Sequence, residues 1–127
     1  MDHNLQSLID LATPLVGEIP LGRKGLNAAT VAAALRTRSG ATYTGVCIHA
    51  ACGIGFCAEH AAIAEMLKYR ETAISAIVAV GRDGVLAPCG RCRELMMQVN
   101  PANLDASVAL PEGRTAVLRD LMPEPWM

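Results

Sequence analysis

Two short cysteine motifs constrain this chain more than any other feature of its sequence. The first, Cys57–Glu59, reads CAE, and the second, Pro88–Cys92, reads PCGRC. Together they supply three thiols for one zinc ion, which binds soft thiolate ligands in a tetrahedron. Three protein ligands leave the fourth position open for water, which is the arrangement of a catalytic zinc rather than a structural one. The motifs therefore predict a hydrolytic zinc site with an unligated carboxylate beside it.

The predicted zinc ligands are Cys57, Cys89 and Cys92, and the predicted proton-transfer residue is Glu59. Because Cys89 and Cys92 are three residues apart, they share one face at the start of a helix. Cys57 would begin another helix. Helix N-termini carry partial positive charge, which stabilises thiolates and lowers the pKa of a cysteine.

Other interpretations of the cysteines compete with a catalytic zinc site. The three thiols could form a closed structural site or be separate buried side chains, and the CxxC pair alone could be a thioredoxin-like redox motif. The third cysteine and the adjacent glutamate favour the catalytic site. Cys47 and Cys52 are better explained as small apolar residues than as ligands.

The apolar pattern predicts an α/β fold in which helices pack on a mixed sheet. Ala28–Thr37 is ambiguous, because its alanines favour a helix and only the context favours a strand. The predicted helices span 3–16, 58–70 and 90–99, with a last helical turn over 118–122. The predicted strands span 28–37, 42–48, 73–80, 106–110 and 115–117. Residues 1–127 are expected to form a single domain.

Composition excludes several classes of function. The 127-residue chain has a net charge of −1, with 11 basic and 12 acidic residues spread along it, and it has few aromatic residues. A protein that binds nucleic acid needs a clustered basic face and stacking platforms, so we expect no nucleic-acid partner. No apolar run reaches the roughly 20 residues that span a bilayer, so we expect no membrane partner. An odd number of cysteines without a signal peptide indicates a cytoplasmic protein.

The two motifs resemble those of the cytidine deaminase superfamily in its all-cysteine form, and the resemblance covers Leu26–Trp126. The segments Ile77–Gly81 and Ala87–Leu95 look closer still to blasticidin-S deaminases. The resemblance implies a three-layer α-β-α sandwich with a five-stranded mixed sheet. It also implies zinc-dependent hydrolytic deamination of a base or nucleoside, and a homotetramer with a dimer as the alternative.

Further site residues follow from this resemblance alone. The N–H of Ala58 and the carbonyl of Ala87 would hold the amide edge of the base. Trp126 falls where the family has an aromatic residue that reaches into a neighbouring subunit's pocket. Simple burial at an interface is the alternative for this side chain.

Four positions depart from the pattern of the family. Cys47 and His49 stand where cytidine deaminases have the asparagine and glutamate that grip the ribose, and Ala29 replaces a phenylalanine. His60 replaces the arginine that often follows the CAE motif, and Arg91 or Arg93 would take over part of its role.

These departures leave three hypotheses open. The protein deaminates a nucleoside or a nucleoside antibiotic, it deaminates another small aminated heterocycle, or it is a zinc-stabilised oligomer without activity.

Overall fold

A computed structural model describes residues 2–127 as three helices packed on one sheet, with short 3-10 turns between them. The helices are α1 (His3–Ala12), α2 (Ala58–Lys68) and α3 (Gly90–Val99). The strands are β1 (Ile19–Pro20), β2 (Asn27–Thr37), β3 (Thr42–His49), β4 (Ile74–Gly81), β5 (Gly84–Leu86), β6 (Ser107–Ala109) and β7 (Thr115–Val117). The 3-10 turns are Thr13–Leu15, Pro101–Asp105 and Leu118–Leu121.

The sheet is mixed, as the sequence predicted. Strands β2, β3 and β4 form its antiparallel centre, because β2 pairs with β3 along one side and with β4 along the other. Strand β4 then pairs in parallel with β6, and β7 closes the far edge antiparallel to β6. The helix α3 lies in the connection between the two parallel strands, as a parallel crossover requires.

The expected number of five strands was wrong, because the sheet has seven. The additional strands are β1, which pairs with the start of β2, and β5, which pairs with the end of β4. They contain only two and three residues. Segments this short cannot show an alternating pattern, so their strand character comes from the partner strand rather than from their own sequence.

Helices cover both faces of the sheet, which confirms the three-layer architecture. On one face, Ala32 and Ala34 of β2 form a buried cluster with Leu5 and Leu8 of α1. On the other face, the intervening side chains of β2 pack into a second cluster. Its buried members include Ala33, Leu35, Ala62, Ile63, Met66, Ile77 and Met96. Successive residues of β2 thus serve opposite faces, as the period of a strand requires.

The ambiguous alanine run is a strand. Ala32, Ala33 and Ala34 are fully buried in β2, which lies between two partner strands. Burial on both faces outweighs the helix preference of alanine. The predicted first helix is shorter than expected, since α1 ends at Ala12 and the segment with Pro14 forms a 3-10 turn. In the part of the chain described here, no helix is both long enough and apolar enough to cross a membrane.

The buried side chain of Asn103 joins the start of β4 to the end of α3. Its Oδ1 accepts a hydrogen bond from the N–H of Ile74 at 2.7 Å. Its Nδ2 donates to the carbonyls of Thr72 at 3.0 Å and Met96 at 2.9 Å. The Ile74 N–H and the Thr72 carbonyl therefore depend on this side chain for their partners, whereas the Met96 carbonyl also accepts from the Asn100 N–H at 3.3 Å.

We expect Asn103→Ala to lower the free energy of unfolding by about 3 kcal/mol or more, because each buried group left unpaired costs about 1–3 kcal/mol. Urea denaturation measures this change. The matched control is Gln98→Ala on the exposed face of α3, which should stay within about 0.5 kcal/mol of the parent protein. A loss below about 1 kcal/mol for Asn103→Ala would contradict this account of the residue.

Candidate active site

The starts of two helices bring the cysteine motifs together. Cys57 is the N-cap of α2 and Cys89 is the N-cap of α3, and both have extended backbone angles. Cys92 lies in the first turn of α3 and is buried. A bridge between Ile48 and Phe56 fixes the chain immediately before α2. The three thiols therefore lie at the starts of two helices, as the sequence predicted.

The three sulfur atoms are close enough to share one metal ion. The Sγ atoms of Cys57 and Cys89 are 3.5 Å apart, and those of Cys89 and Cys92 are 3.6 Å apart. All three lie within 4.8 Å of one another. Two ligands at zinc–sulfur distances of about 2.3 Å in a tetrahedron are about 3.8 Å apart. The cluster therefore fits a zinc site, and the prediction of zinc is confirmed.

The thiols differ in how readily they ionise. Burial opposes ionisation of Cys89, but the backbone N–H groups of Cys92 and Arg91 and the neighbouring thiols outweigh it, so its pKa is lowered. Burial raises the pKa of Cys57 and of Cys92, and the charge of Glu59 adds to both effects. A divalent cation removes this difference because it binds all three sulfurs as thiolates.

Glu59 is the second residue of α2 and its side chain is buried, with 4% of its surface exposed. Burial raises the pKa of this carboxyl, and hydrogen bonds from its own backbone and from Cys92 offset part of the rise. Its carboxylate is not among the atoms of the thiol cluster. It nevertheless lines the same cavity as Cys57 and Cys89.

That cavity has a volume of about 300 Å³, at the lower end of the range for small-molecule sites. It also contains four of the five substrate contacts expected from the sequence, namely Cys47, His49, Ala58 and Ala87. Sequence reasoning did not identify several of its other lining residues, which are Thr30, Val31, Ile48, Phe56, Ala79 and Leu86. They come from separate strands and from one loop, so only the fold brings them to the motifs.

Trp126, the fifth expected contact, does not line this cavity. Its side chain is 79% exposed, and its backbone N–H donates to Glu94 Oε1 at 2.9 Å. The C-terminal segment is thus attached to α3 while the indole ring points away from its own subunit's core. The expected contact in a neighbouring subunit stays a prediction.

Two further polar side chains near the cysteine motifs are those of His60 and Arg93. His60 Nδ1 lies 3.5 Å from Cys92 Sγ, and burial together with the charge of Arg91 lowers the pKa of this imidazole. The Arg93 guanidinium donates from Nε to the Pro88 carbonyl at 2.9 Å and from Nη1 to the Leu121 carbonyl at 3.0 Å. Arg93 therefore holds the backbone of the second motif against the C-terminal segment.

The close packing of α2 on β3 depends on Gly45. A Cβ at this position would lie 2.5 Å from the Cβ of Ala61, 2.5 Å from the N of Ala62 and 2.8 Å from the carbonyl oxygen of Ala58. Two of these atoms belong to the helix backbone, so α2 would have to move as a unit. Because α2 positions Cys57, the cavity would change with it.

We expect Gly45→Ala to lower the free energy of unfolding by about 3 kcal/mol, the upper part of the usual range for overpacking. Thermal or urea denaturation measures the loss. Gly22→Ala is the matched control, since nothing lies within 4 Å of a Cβ built there. Equal stability of the two variants would show that α2 does not pack on β3 as described.

The fold is similar to that of several cytidine deaminases of known structure. The enzyme from Mycobacterium tuberculosis superposes with a TM-score of 0.81 and 26% identity, covering 99% of each chain. That from Burkholderia pseudomallei has a TM-score of 0.76 and 28% identity, covering 99% of this chain and 100% of its own. The Mycobacterium leprae enzyme has a TM-score of 0.79 and 25% identity over 97% of this chain and 100% of its own.

No protein-family model matches the chain. The likeness to these enzymes nevertheless extends over nearly the whole length of both partners. The chain therefore has the α/β fold of the cytidine deaminases, and its three-cysteine cluster fits a zinc site.

Proposed function

We propose that this protein is a zinc-dependent hydrolase that removes the amino group of a pyrimidine-type base or nucleoside and releases ammonia. The observation that carries the proposal is a cluster of three thiols beside a cavity that two of them, Cys57 and Cys89, line together with the separate buried carboxylate of Glu59. The cavity lies in a fold similar to that of cytidine deaminases, with 26% identity to the enzyme from Mycobacterium tuberculosis. The thiol cluster alone would also suit a structural metal site. The buried carboxylate and the cavity beside the thiols distinguish a catalytic site from a structural one.

Cys57, Cys89 and Cys92 hold the metal in this proposal. A bound zinc ion lowers the pKa of water and so supplies a nucleophile at neutral pH. Cys57 and Cys89 belong to helix starts, and the positive ends of the helix dipoles stabilise their thiolates. This arrangement offsets part of the negative charge that three thiolates bring to the site.

Glu59 is the proton-transfer residue. Its carboxylate takes the proton from the attacking water and delivers protons to the ring nitrogen and to the departing ammonia. Burial suits this role, because a carboxylate whose pKa is raised takes a proton from water more readily than an exposed one.

The ring is held by backbone groups at the ends of the two motifs. The Ala58 N–H and the Ala87 carbonyl both border the cavity and offer one donor and one acceptor to the amide edge of the base. Cys47 and His49 border the part of the site that would face the substituent on the ring. Trp126 contributes a ring-stacking contact in a neighbouring subunit, within a homotetramer or, as the alternative, a dimer.

Cytidine-like nucleosides are the first substrates to test. Blasticidin S is the second, because the segments 77–81 and 87–95 resemble those of its deaminases. We expect zinc-loaded protein to release ammonia from at least one member of a panel of cytidine, deoxycytidine, blasticidin S, cytosine and aminopurines. An enzyme-coupled ammonia assay makes the measurement, with chelator-treated protein as the control. Stoichiometric zinc without ammonia from any compound would contradict the proposal and favour the zinc-stabilised oligomer.

A further inference from the structure

The cavity wall formed by β2 and β3 contains the polar side chains available to the part of a ligand that is not at the metal. Among the lining residues outside the two cysteine motifs, Thr30, Cys47 and His49 have side chains that form hydrogen bonds. Thr30 belongs to β2, and Cys47 and His49 belong to β3. These three side chains therefore govern how a substituent on the ring is recognised.

Cys47 already has partners within the protein. The pairing of β2 with β3 changes register between Ala28 and Ala32, and Ala29 in this bulge has a φ of 67°. The N–H of Val31 donates to Cys47 Sγ at 3.3 Å, and Thr30 Oγ1 lies 3.3 Å from the same sulfur. Backbone groups at a bulge lose their ladder partners, so the thiol supplies the partner that β3 does not.

The other two polar side chains are exposed to solvent. Thr30 and His49 are both exposed, so water satisfies them when a ligand offers no hydroxyl. Thr30 also borders a neighbouring cavity of about 350 Å³ lined by Val16–Glu18 and Arg82. When a ligand lacks a hydroxyl, no lining side chain of this wall is therefore left both buried and without a hydrogen-bond partner.

A site that holds a substrate hydroxyl with a dedicated buried group rejects the analogue without that hydroxyl by about 10⁴–10⁵-fold, because the group is then unpaired. None of the side chains of β2 and β3 that line the cavity is such a group, and the buried, unpaired Oδ1 of Asn27 in β2 lies outside the lining. We propose that Cys47 determines specificity because its sulfur accepts a hydrogen bond from the Val31 N–H at the bulge and does not bind a hydroxyl of the ligand. The enzyme then recognises the aminated ring and discriminates little between sugars with and without hydroxyls. This inference rests on the proposed function of the site.

The first test compares binding of cytidine and 2′,3′-dideoxycytidine to zinc-loaded Glu59→Gln protein, which should turn the ligands over at least about 100-fold more slowly than the parent protein. Isothermal calorimetry gives the two dissociation constants. We expect them to agree within about tenfold, the effect of one ordinary exposed hydrogen bond. A preference for cytidine above about 100-fold, or no binding of either compound, would overturn the inference.

The second test asks whether the sulfur contacts the ligand. In the same Glu59→Gln background, Cys47→Ala should weaken both ligands by the same factor, leaving the ratio of their constants within about threefold of its starting value. Cys47→Ser, which keeps an acceptor for the Val31 N–H, should restore most of the binding. Cys52→Ala, at an exposed cysteine outside the cavity, should change neither constant. Loss of affinity for cytidine alone in Cys47→Ala would show that the thiol holds a sugar hydroxyl.

Ammonia release by the parent protein separates this inference from the proposed function. Similar binding of the two compounds without any ammonia would support the inference and overturn the hydrolase. Ammonia from cytidine at more than about 100 times the rate from 2′,3′-dideoxycytidine would support the hydrolase and overturn the inference. Ammonia from both at rates within about tenfold supports both.

Discussion

Glu59→Gln should lower the rate of ammonia release by about 10²–10⁴-fold, which is the usual contribution of a positioned acid–base group. Glutamine has nearly the shape of glutamate, but its amide can neither accept a proton from water nor return one at neutral pH. The carboxylate lies outside the thiol cluster, so the variant should bind one zinc ion per chain like its parent. Steady-state kinetics on the best substrate of the panel, together with metal analysis, measures both properties.

The matched control for this variant is Glu65→Gln. Glu65 lies on the same helix α2 but is exposed, so the substitution removes the same charge from the chain without changing the cavity. It should keep the rate within about twofold of the parent protein, as expected for a surface position. Near-normal activity of Glu59→Gln, or equal losses in the two variants, would show that Glu59 does not transfer protons.

The motifs could be predicted from the sequence because zinc chemistry acts through residue type and spacing. Cys89 and Cys92 needed only the geometry of one helix turn to be placed on one face. Their meeting with Cys57 was expected from the residue types and from the resemblance rather than from local geometry, since the two motifs lie on different helices. The structure brings them together because β3 and β4 both pair antiparallel with β2, so the ends of these two strands, which precede α2 and α3 in the chain, lie beside the same part of β2.

The wall of the cavity could not be predicted in the same way. Thr30 reaches the site because β2 is irregular between Ala28 and Ala32, and nothing in the run of alanines marks that change of register. A bulge depends on the pairing of two strands, whereas a local pattern describes one strand at a time. The same reason explains why β1 and β5 were missed.

Arg93 illustrates a third case, because Arg91 or Arg93 was expected to act near the metal but the hydrogen-bond partners of Arg93 were not expected. Its guanidinium contacts the carbonyls of Pro88 and Leu121. Arginine forms several directed hydrogen bonds from one planar group, so it can join two distant segments. The sequence shows the charge of such a residue, but the carbonyl groups it joins depend on the tertiary fold.

Cys92→Ser should remove most of the protein's zinc affinity, because Cys92 is the buried member of the cluster and a hydroxyl is a poor ligand for zinc. Loss of a residue that only supports a ligand costs about 10–100-fold in affinity, so loss of the ligand itself should exceed about 100-fold. Competition with a chromophoric chelator measures the dissociation constant. In the parent protein, free zinc at 1,000 times its dissociation constant should add about 4.1 kcal/mol to the free energy of unfolding.

At that same zinc concentration, Cys92→Ser should gain less than about half of this stabilisation. The reason is that the dissociation constant of the variant is higher, so the zinc concentration exceeds it by a much smaller factor. Comparing the two proteins without zinc shows how much the serine itself costs the fold, and this difference is subtracted. Cys52→Ser serves as the control, because that thiol is exposed and lies outside the cluster. If Cys92→Ser bound zinc as tightly as Cys52→Ser, the three sulfurs would not share one ion, and the cavity would lack the metal on which water activation depends.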